Sequence, residues 1–255
     1  MNEGKRWRAL IFSPPKIGKS SWAETCVGPR LIIDAEGGTQ WLANPTIPWD
    51  DVRQPPPDVS DPSFSNHSVV VHVTKWQDME TINQWLQSGK HSFKSVVVDS
   101  ITEIQQTCKH AIETGGGFRI QDWGTLYDMM SPVFKELRDL TYHPTNPVWQ
   151  VIVTALAKTE DGVIMPDIQG KMARSLPAEV DTVGFLRVSG STDNPGGREL
   201  VVDAAPGLYA GDRTKALRRA FDGVIPISLD DNTDLITYNA TQLLRFLNGD
   251  PEWAS

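Results

Sequence analysis

Two cysteines, Cys26 and Cys108, are all this 255-residue chain has. They are too few for a disulfide framework or a zinc pattern, and they fit a reducing compartment, so the expected location is the cytosol. No apolar run approaches 18 residues, so no membrane-spanning helix is expected. No secretory leader is expected at the amino end either: its apolar stretch, WRALIF, is short and stops at Pro14-Pro15. Positive charge is also scarce. With 24 Lys and Arg against 32 Asp and Glu the net charge is −8, which at face value argues against a general polyanion binder. The apolar share of 39% and charged share of 22% are those of a globular protein and exclude wholesale disorder.

What is present is an alternation of short apolar runs with helical patterns. Strands are expected at 7–12, 30–34, 68–73, 93–99, 148–155, 181–188 and 199–203. Helices are expected at 18–26, 76–88, 100–112, 122–141, 213–221 and 241–247. Over 122–141, Trp123, Leu126, Tyr127, Met130, Phe134, Leu137 and Leu140 recur at three and four, with Pro132 marking a kink or restart. Residues 44–66, rich in Pro, Asp and Ser, read as a surface loop, and 158–175 as a polar, Gly-containing stretch. Such alternation predicts an α/β fold with a mainly parallel sheet.

Chemistry concentrates first at Ser13-Pro14-Pro15-Lys16-Ile17-Gly18-Lys19-Ser20, followed by Ser21, between a strand and a helix. This nearly matches the phosphate-loop pattern G-x-x-x-x-G-K-[ST], with Ser13 in place of the first Gly. Gly18 lets the backbone approach phosphate, and loop N–H groups attract the anion. Lys19 reaches the outer phosphates and Ser20 can ligate Mg²⁺. Asp99 ends the run Val96–Val98, so it emerges at the carboxyl edge of a strand, where it can support the metal or cap the next helix; Ser100 could cap that helix too. Glu36 follows the strand at 30–34 and is a candidate for polarising the attacking water, with Asp34 as an alternative. Trp41 and Trp49 lie near the Pro-rich loop, where one could stack on adenine.

The order of these motifs resembles the RecA recombinase core. LIIDAEGG (Leu31–Gly38) is similar to the family strand that ends in Asp-Ala-Glu, whose Glu is catalytic and matches Glu36. VVVDS (Val96–Ser100) resembles the second nucleotide motif. The resemblance spans about 200 residues by motif order. Without RecA's terminal domains, the chain is most similar to the short RecA-like ATPases of bacteriophages that act in single-strand annealing. The resemblance implies one RecA-like P-loop NTPase domain over 1–255, with 44–66 as a surface loop and 225–255 as an appendage. Its sheet would be mainly parallel, flanked by helices, with an antiparallel extension near the C-terminus. It implies ATP and Mg²⁺ as ligands and DNA-stimulated hydrolysis. Two loops would face single-stranded DNA, the first Gly-rich (113–122) with Phe118 and Arg119, the second with Lys158, Lys171 and Arg174. It implies self-assembly into a ring or filament, with Arg213 and Lys215, or Arg218 and Arg219, reaching a neighbour's γ-phosphate. A single-strand binding protein is a further expected partner. Ala155 stands where RecA has a γ-phosphate-sensing Gln, with Lys158 the substitute considered. Two other readings use the same loop: a small-molecule kinase with 44–66 as its lid, and a DNA-binding oligomer that ATP switches without hydrolysis.

The charge is distributed unevenly. Residues 1–30 hold six basic against two acidic side chains, and 213–224 hold four against one; the excess acid sits in 31–66, 177–212 and 225–255. The proposed phosphate loop and neighbour-reaching segment thus carry concentrated positive charge despite the average.

Overall fold

Strands form where β-branched residues cluster, because these side chains pack well on a pleated, buried surface. In chain order they are β1 (Trp7–Ser13), β2 (Arg30–Asp34), β3 (Thr46–Pro48), β4 (Ser68–His72), β5 (Ser95–Asp99), β6 (Gln150–Glu160), β7 (Val163–Pro166), β8 (Thr182–Val188), β9 (Arg198–Val201), β10 (Gly211–Asp212) and β11 (Val224–Ile227). The helices are α1 (Lys19–Ala23), α2 (Trp76–Gln87), α3 (Ile101–Ile112), α4 (Asp122–Asp139), α5 (Met172–Glu179), α6 (Ala216–Ala220) and α7 (Ala240–Leu247). The computed structural model describes residues 4–113, 117–190, 197–227 and 237–250.

One sheet runs β11-β9-β8-β1-β6-β5-β2-β4-β3. From β8 to β3 every pairing is parallel. β9, β10 and β11 extend it in antiparallel fashion, and β7 pairs antiparallel with β6. This is the expected fold class: a mostly parallel sheet with flanking helices and antiparallel strands toward the C-terminal side.

Alternation along β1 shows how the layers form. Leu10 and Phe12 face a core shared with α2, α3 and α4, while Trp7, Ala9 and Ile11 face a second core with Trp22 of α1 and Leu243, Leu244 and Leu247 of α7. Trp7 and Trp22 meet edge to face at 6.2 Å, and the Trp7 indole N–H donates to Thr182 Oγ1 at 2.9 Å. Of the other tryptophans expected on packed helix faces, Trp76 is fully buried and Trp85 and Trp123 are half-buried. Among the described residues, no helix is long and apolar enough to cross a membrane.

Several local expectations need correction. Residues 44–66 are not simply a surface loop. Thr46–Pro48 adds an edge strand to β4, and Trp49 and Val59 are buried in the core, the Trp49 N–H donating to the Gln54 carbonyl at 3.2 Å. The stretch 158–175 is a hairpin and a helix: β6 continues to Glu160, Asp161-Gly162 turns with both φ positive, β7 returns, and α5 follows. The helix after the phosphate loop ends at Ala23, and the basic helix begins at Ala216. α4 runs unbroken through Pro132. The segment placed as a C-terminal appendage contains most of β11, inside the sheet, and α7, inside the second core; residues 228–236 and 251–255 of it lie outside the described residues.

Trp49→Ala should therefore destabilise the chain by about 3 kcal/mol, the usual cost of emptying a buried indole site. Trp41→Ala, at a residue 82% exposed, should stay within about 0.5 kcal/mol. Urea denaturation of the two variants checks the contrast.

Candidate functional site

Parallel pairing brings the ends of four strands to one edge. In register, Ser13 lies beside Leu156, Val98 beside Val153, and Asp34 beside Asp99. The expected phosphate loop leaves β1 at this edge. Lys16 (φ 64°) and Gly18 (φ 105°) both adopt left-handed backbone, which bends the loop and suits glycine at the second position. Ser13, in place of the usual Gly, is fully buried; its hydroxyl donates to the Pro14 carbonyl at 2.6 Å and accepts from Lys19 Nζ at 3.4 Å. Its side chain thus lies inside the loop. Arg198 of β9 steadies the loop, donating from Nε to the Ile17 carbonyl at 2.9 Å. Burial draws the Lys19 ammonium below the ordinary lysine range, while Glu36 and Asp99 pull it back.

Asp99 is 1% exposed. One carboxylate oxygen accepts from Ser20 Oγ at 2.5 Å and the other from the Thr154 hydroxyl. Burial pushes this carboxyl above the usual carboxylate range; the two hydroxyls oppose the rise, and Glu36 and Asp34 add to it. Ser20 and Asp99 form the kind of two-residue set that Mg²⁺ uses when substrate phosphates and water complete its shell. Among the described residues no group of three His, Cys, Asp or Glu is arranged to hold a metal.

The two acids after β2 have separate tasks. Asp34 is buried and fully occupied: one oxygen accepts from the Glu36 and Gly37 N–H groups at 3.0 and 2.7 Å, the other from Thr39 Oγ1 at 2.6 Å, with His72 Nδ1 at 3.3 Å. It shapes the turn that carries Glu36. Glu36 itself accepts from Ser100 Oγ at 2.5 Å. Ser100 occupies the N-cap position of α3, yet its hydroxyl serves Glu36 and makes no capping bond. Neither Asp99 nor Ser100 therefore acts as the side-chain cap that the sequence left open.

Thr154 and Arg198 escaped the sequence reading, as did the bond from Ser100 to Glu36. Thr154 had a usable signal, a hydroxyl in the apolar run 148–155, because buried hydroxyls are hydrogen-bonded. Arg198 had none. Ala155, at the position of the sensing Gln, is fully buried beside Phe12. Lys158 is ion-paired to Glu160 at 2.7 Å. Trp49 is buried, which removes it as an adenine platform and pins the 44–66 segment offered as a kinase lid.

Arg213 and Lys215 lie at the opposite edge. Arg213 N–H donates to the Asp181 carbonyl at 2.8 Å, just before β8, and its guanidinium donates to the Ala178 carbonyl. Lys215 precedes α6 on the same side, and Arg218 pairs with Asp203 at 2.9 Å. These cations are not part of their own chain's phosphate site.

The expected DNA-facing residues form two groups. The Phe118 ring packs edge-on against Trp123 at 5.0 Å, with Lys109 Nζ 5.0 Å from its centre, and Lys171 Nζ sits 5.2 Å over the Tyr127 ring. Arg119 is exposed and lies 3.5 Å from Asp122. Lys158 and Arg174 line a separate cavity of about 450 Å³ on the β6–β7 hairpin. Residues 114–116 of the Gly-rich loop lie outside the described residues.

A family model described as an AAA domain matches residues 5–214. Among solved structures, a "prototypical ATPase from the type III secretion system of pathogenic bacteria" is 13% identical, with a TM-score of 0.45; the match covers 82% of this chain and 58% of that one, so this chain spans under two thirds of its length. No curated protein matches.

Asp99 generates a test of stability against function. Its raised value means the folded chain holds this proton more tightly than the unfolded chain. The group's contribution to stability therefore falls as pH rises from the ordinary carboxylate value through the raised one. Asp99→Asn should raise Tm in Mg²⁺-free buffer at pH 8. The gain should close at acid pH, and ATP turnover should be lost. Thermal melts across pH decide it.

Proposed function

The chain belongs to the AAA domain family, and from that premise we propose that it is a Mg²⁺-dependent ATPase of RecA-like organisation that binds single-stranded DNA and promotes annealing or strand exchange in phage-type recombination. The observation that carries the ATPase reading is the convergence of Lys19, the Ser20–Asp99 pair and the Ser100–Glu36 pair at one sheet edge. The backbone of residues 14–18 and the Lys19 ammonium bind the phosphates. Ser20 and Asp99 would hold Mg²⁺, which when bound would neutralise phosphate charge. Glu36 orients the attacking water and takes its proton; Ser100 fixes its carboxylate and Asp34 its backbone.

Support for the DNA reading is the aromatic and cationic surface formed by Lys109, Phe118, Trp123, Tyr127 and Lys171, beside exposed Arg119. Aromatic faces and nearby cations suit single strands. Assembly has a geometric argument: with Arg213 and Lys215 at the edge opposite the phosphate loop, the γ-phosphate they serve is a neighbour's. A ring or filament follows from that reading.

Steady-state ATP hydrolysis, with and without single-stranded DNA at two salt concentrations, tests the proposal. Lys19→Ala should abolish turnover. Glu36→Gln should bind ATP normally and slow kcat by about 10²–10⁴-fold, the range of a positioned general base; unchanged turnover removes Glu36 from the mechanism. Arg119→Ala and Lys171→Ala should each reduce the salt slope of DNA binding by about 1. ATP binding without turnover, even with DNA, would select the non-hydrolysing switch instead.

A further inference from the structure

Arg30 opens β2 at the sheet edge opposite the phosphate loop, about 13 Å from Asp34 by strand rise. It is 4% exposed. Its guanidinium donates to the Glu24 carbonyl, its Nε is buried without an acceptor, and no carboxylate among the described residues pairs with it. The nearby Glu24 carboxylate is committed elsewhere, accepting from the N–H groups of Ala43 and Asn44 at 3.0 and 3.3 Å. A guanidinium stays charged in any protein environment. Buried without a counter-charge, it is an unfavourable feature unless a bound group supplies the negative charge.

The surroundings are built to admit such a group. Arg30 lines a cavity of about 460 Å³ with Arg245, Gln242, Asn66, Thr25 and Thr241, and no acidic side chain is among the residues that line it. That volume is within the range of small-molecule sites. The Gln242 carboxamide oxygen accepts the Asn239 N–H at 2.8 Å, which leaves its NH₂ as a donor. Gly28, also on the wall, keeps the guanidinium's place open: a Cβ there would come within 2.5 Å of Arg30 Nη2.

We propose that this cavity binds a phosphate-class anion, either free phosphate or a phosphomonoester, between Arg30 and Arg245. The remaining guanidinium N–H groups of Arg30, the Arg245 guanidinium and a carboxamide NH₂ suit the oxygens of a tetrahedral oxyanion. The site is separate from the nucleotide site and does not depend on the ATPase reading.

Isothermal titration of the full chain carrying Lys19→Ala, which disables the phosphate loop, tests it with inorganic phosphate and with AMP in chloride buffer. Saturable binding is expected. Equal affinity for the two ligands assigns recognition to the phosphate group, whereas tighter AMP binding extends it to the nucleoside. Adding Arg30→Gln should remove binding. Adding Arg245→Ala, at an exposed residue, should weaken it at least tenfold, and Arg245→Glu should abolish it. No saturable binding, or an affinity unchanged by the Arg245 substitutions, overturns the proposal.

Discussion

The parallel register of β1, β6, β5 and β2 is the constraint from which the site follows. Parallel strands share a direction, so each delivers its last residue to the same edge. Because β6 lies between β1 and β5, Thr154 reaches Asp99 from the adjacent strand, while Ser20 reaches it from the helix beyond the phosphate loop. The cost is electrostatic: the buried carboxyls of Asp34 and Asp99 lie close to the exposed Glu36. The structure offsets part of it with hydroxyls and backbone N–H groups, and part with the Lys19 ammonium. What remains is a negative edge beside a loop that draws in phosphate, the pairing a divalent cation resolves.

Much of this was legible because it is local. A phosphate loop is a contiguous string, and a carboxylate after an apolar run marks a strand's carboxyl end, so Lys19, Ser20, Asp99 and Glu36 could be read directly. Their supporting partners could not. Ser100 meets Glu36 across 64 residues and Thr154 meets Asp99 across 55, and a single sequence carries no record of such pairings. Burial, which only the packed sheet reveals, sets Asp34 and Glu36 apart: the first is buried and bonded, the second exposed.

The misread segments failed for opposite reasons. In 44–66, proline content dominated the local reading, while the burial of Trp49 and Val59 depends on α2 and β4, far along the chain. In 158–175 the signal was present: Asp161-Gly162 between two short β-prone runs is a two-residue hairpin turn of the type that needs positive φ at both positions. The polar character of the stretch hid it. The charge map was informative in a different way. The basic amino-terminal residues divide between two ends of the molecule, Lys16 and Lys19 at one edge of the sheet and Arg30 at the other.

The pairing of Asp34 with Asp99 has one more consequence, for folding fidelity. A one-residue slip of β2 against β5 would turn every side chain of β2 to the opposite face. It would also carry Asp34 away from its place beside Asp99 and Glu36 away from Ser100. Such a chain could keep a hydrophobic sheet and still lack the carboxylate proposed to orient water. On the proposed mechanism, hydrolysis would report the alignment of two central strands, and a refolded preparation could be graded by its specific activity as well as by its compactness.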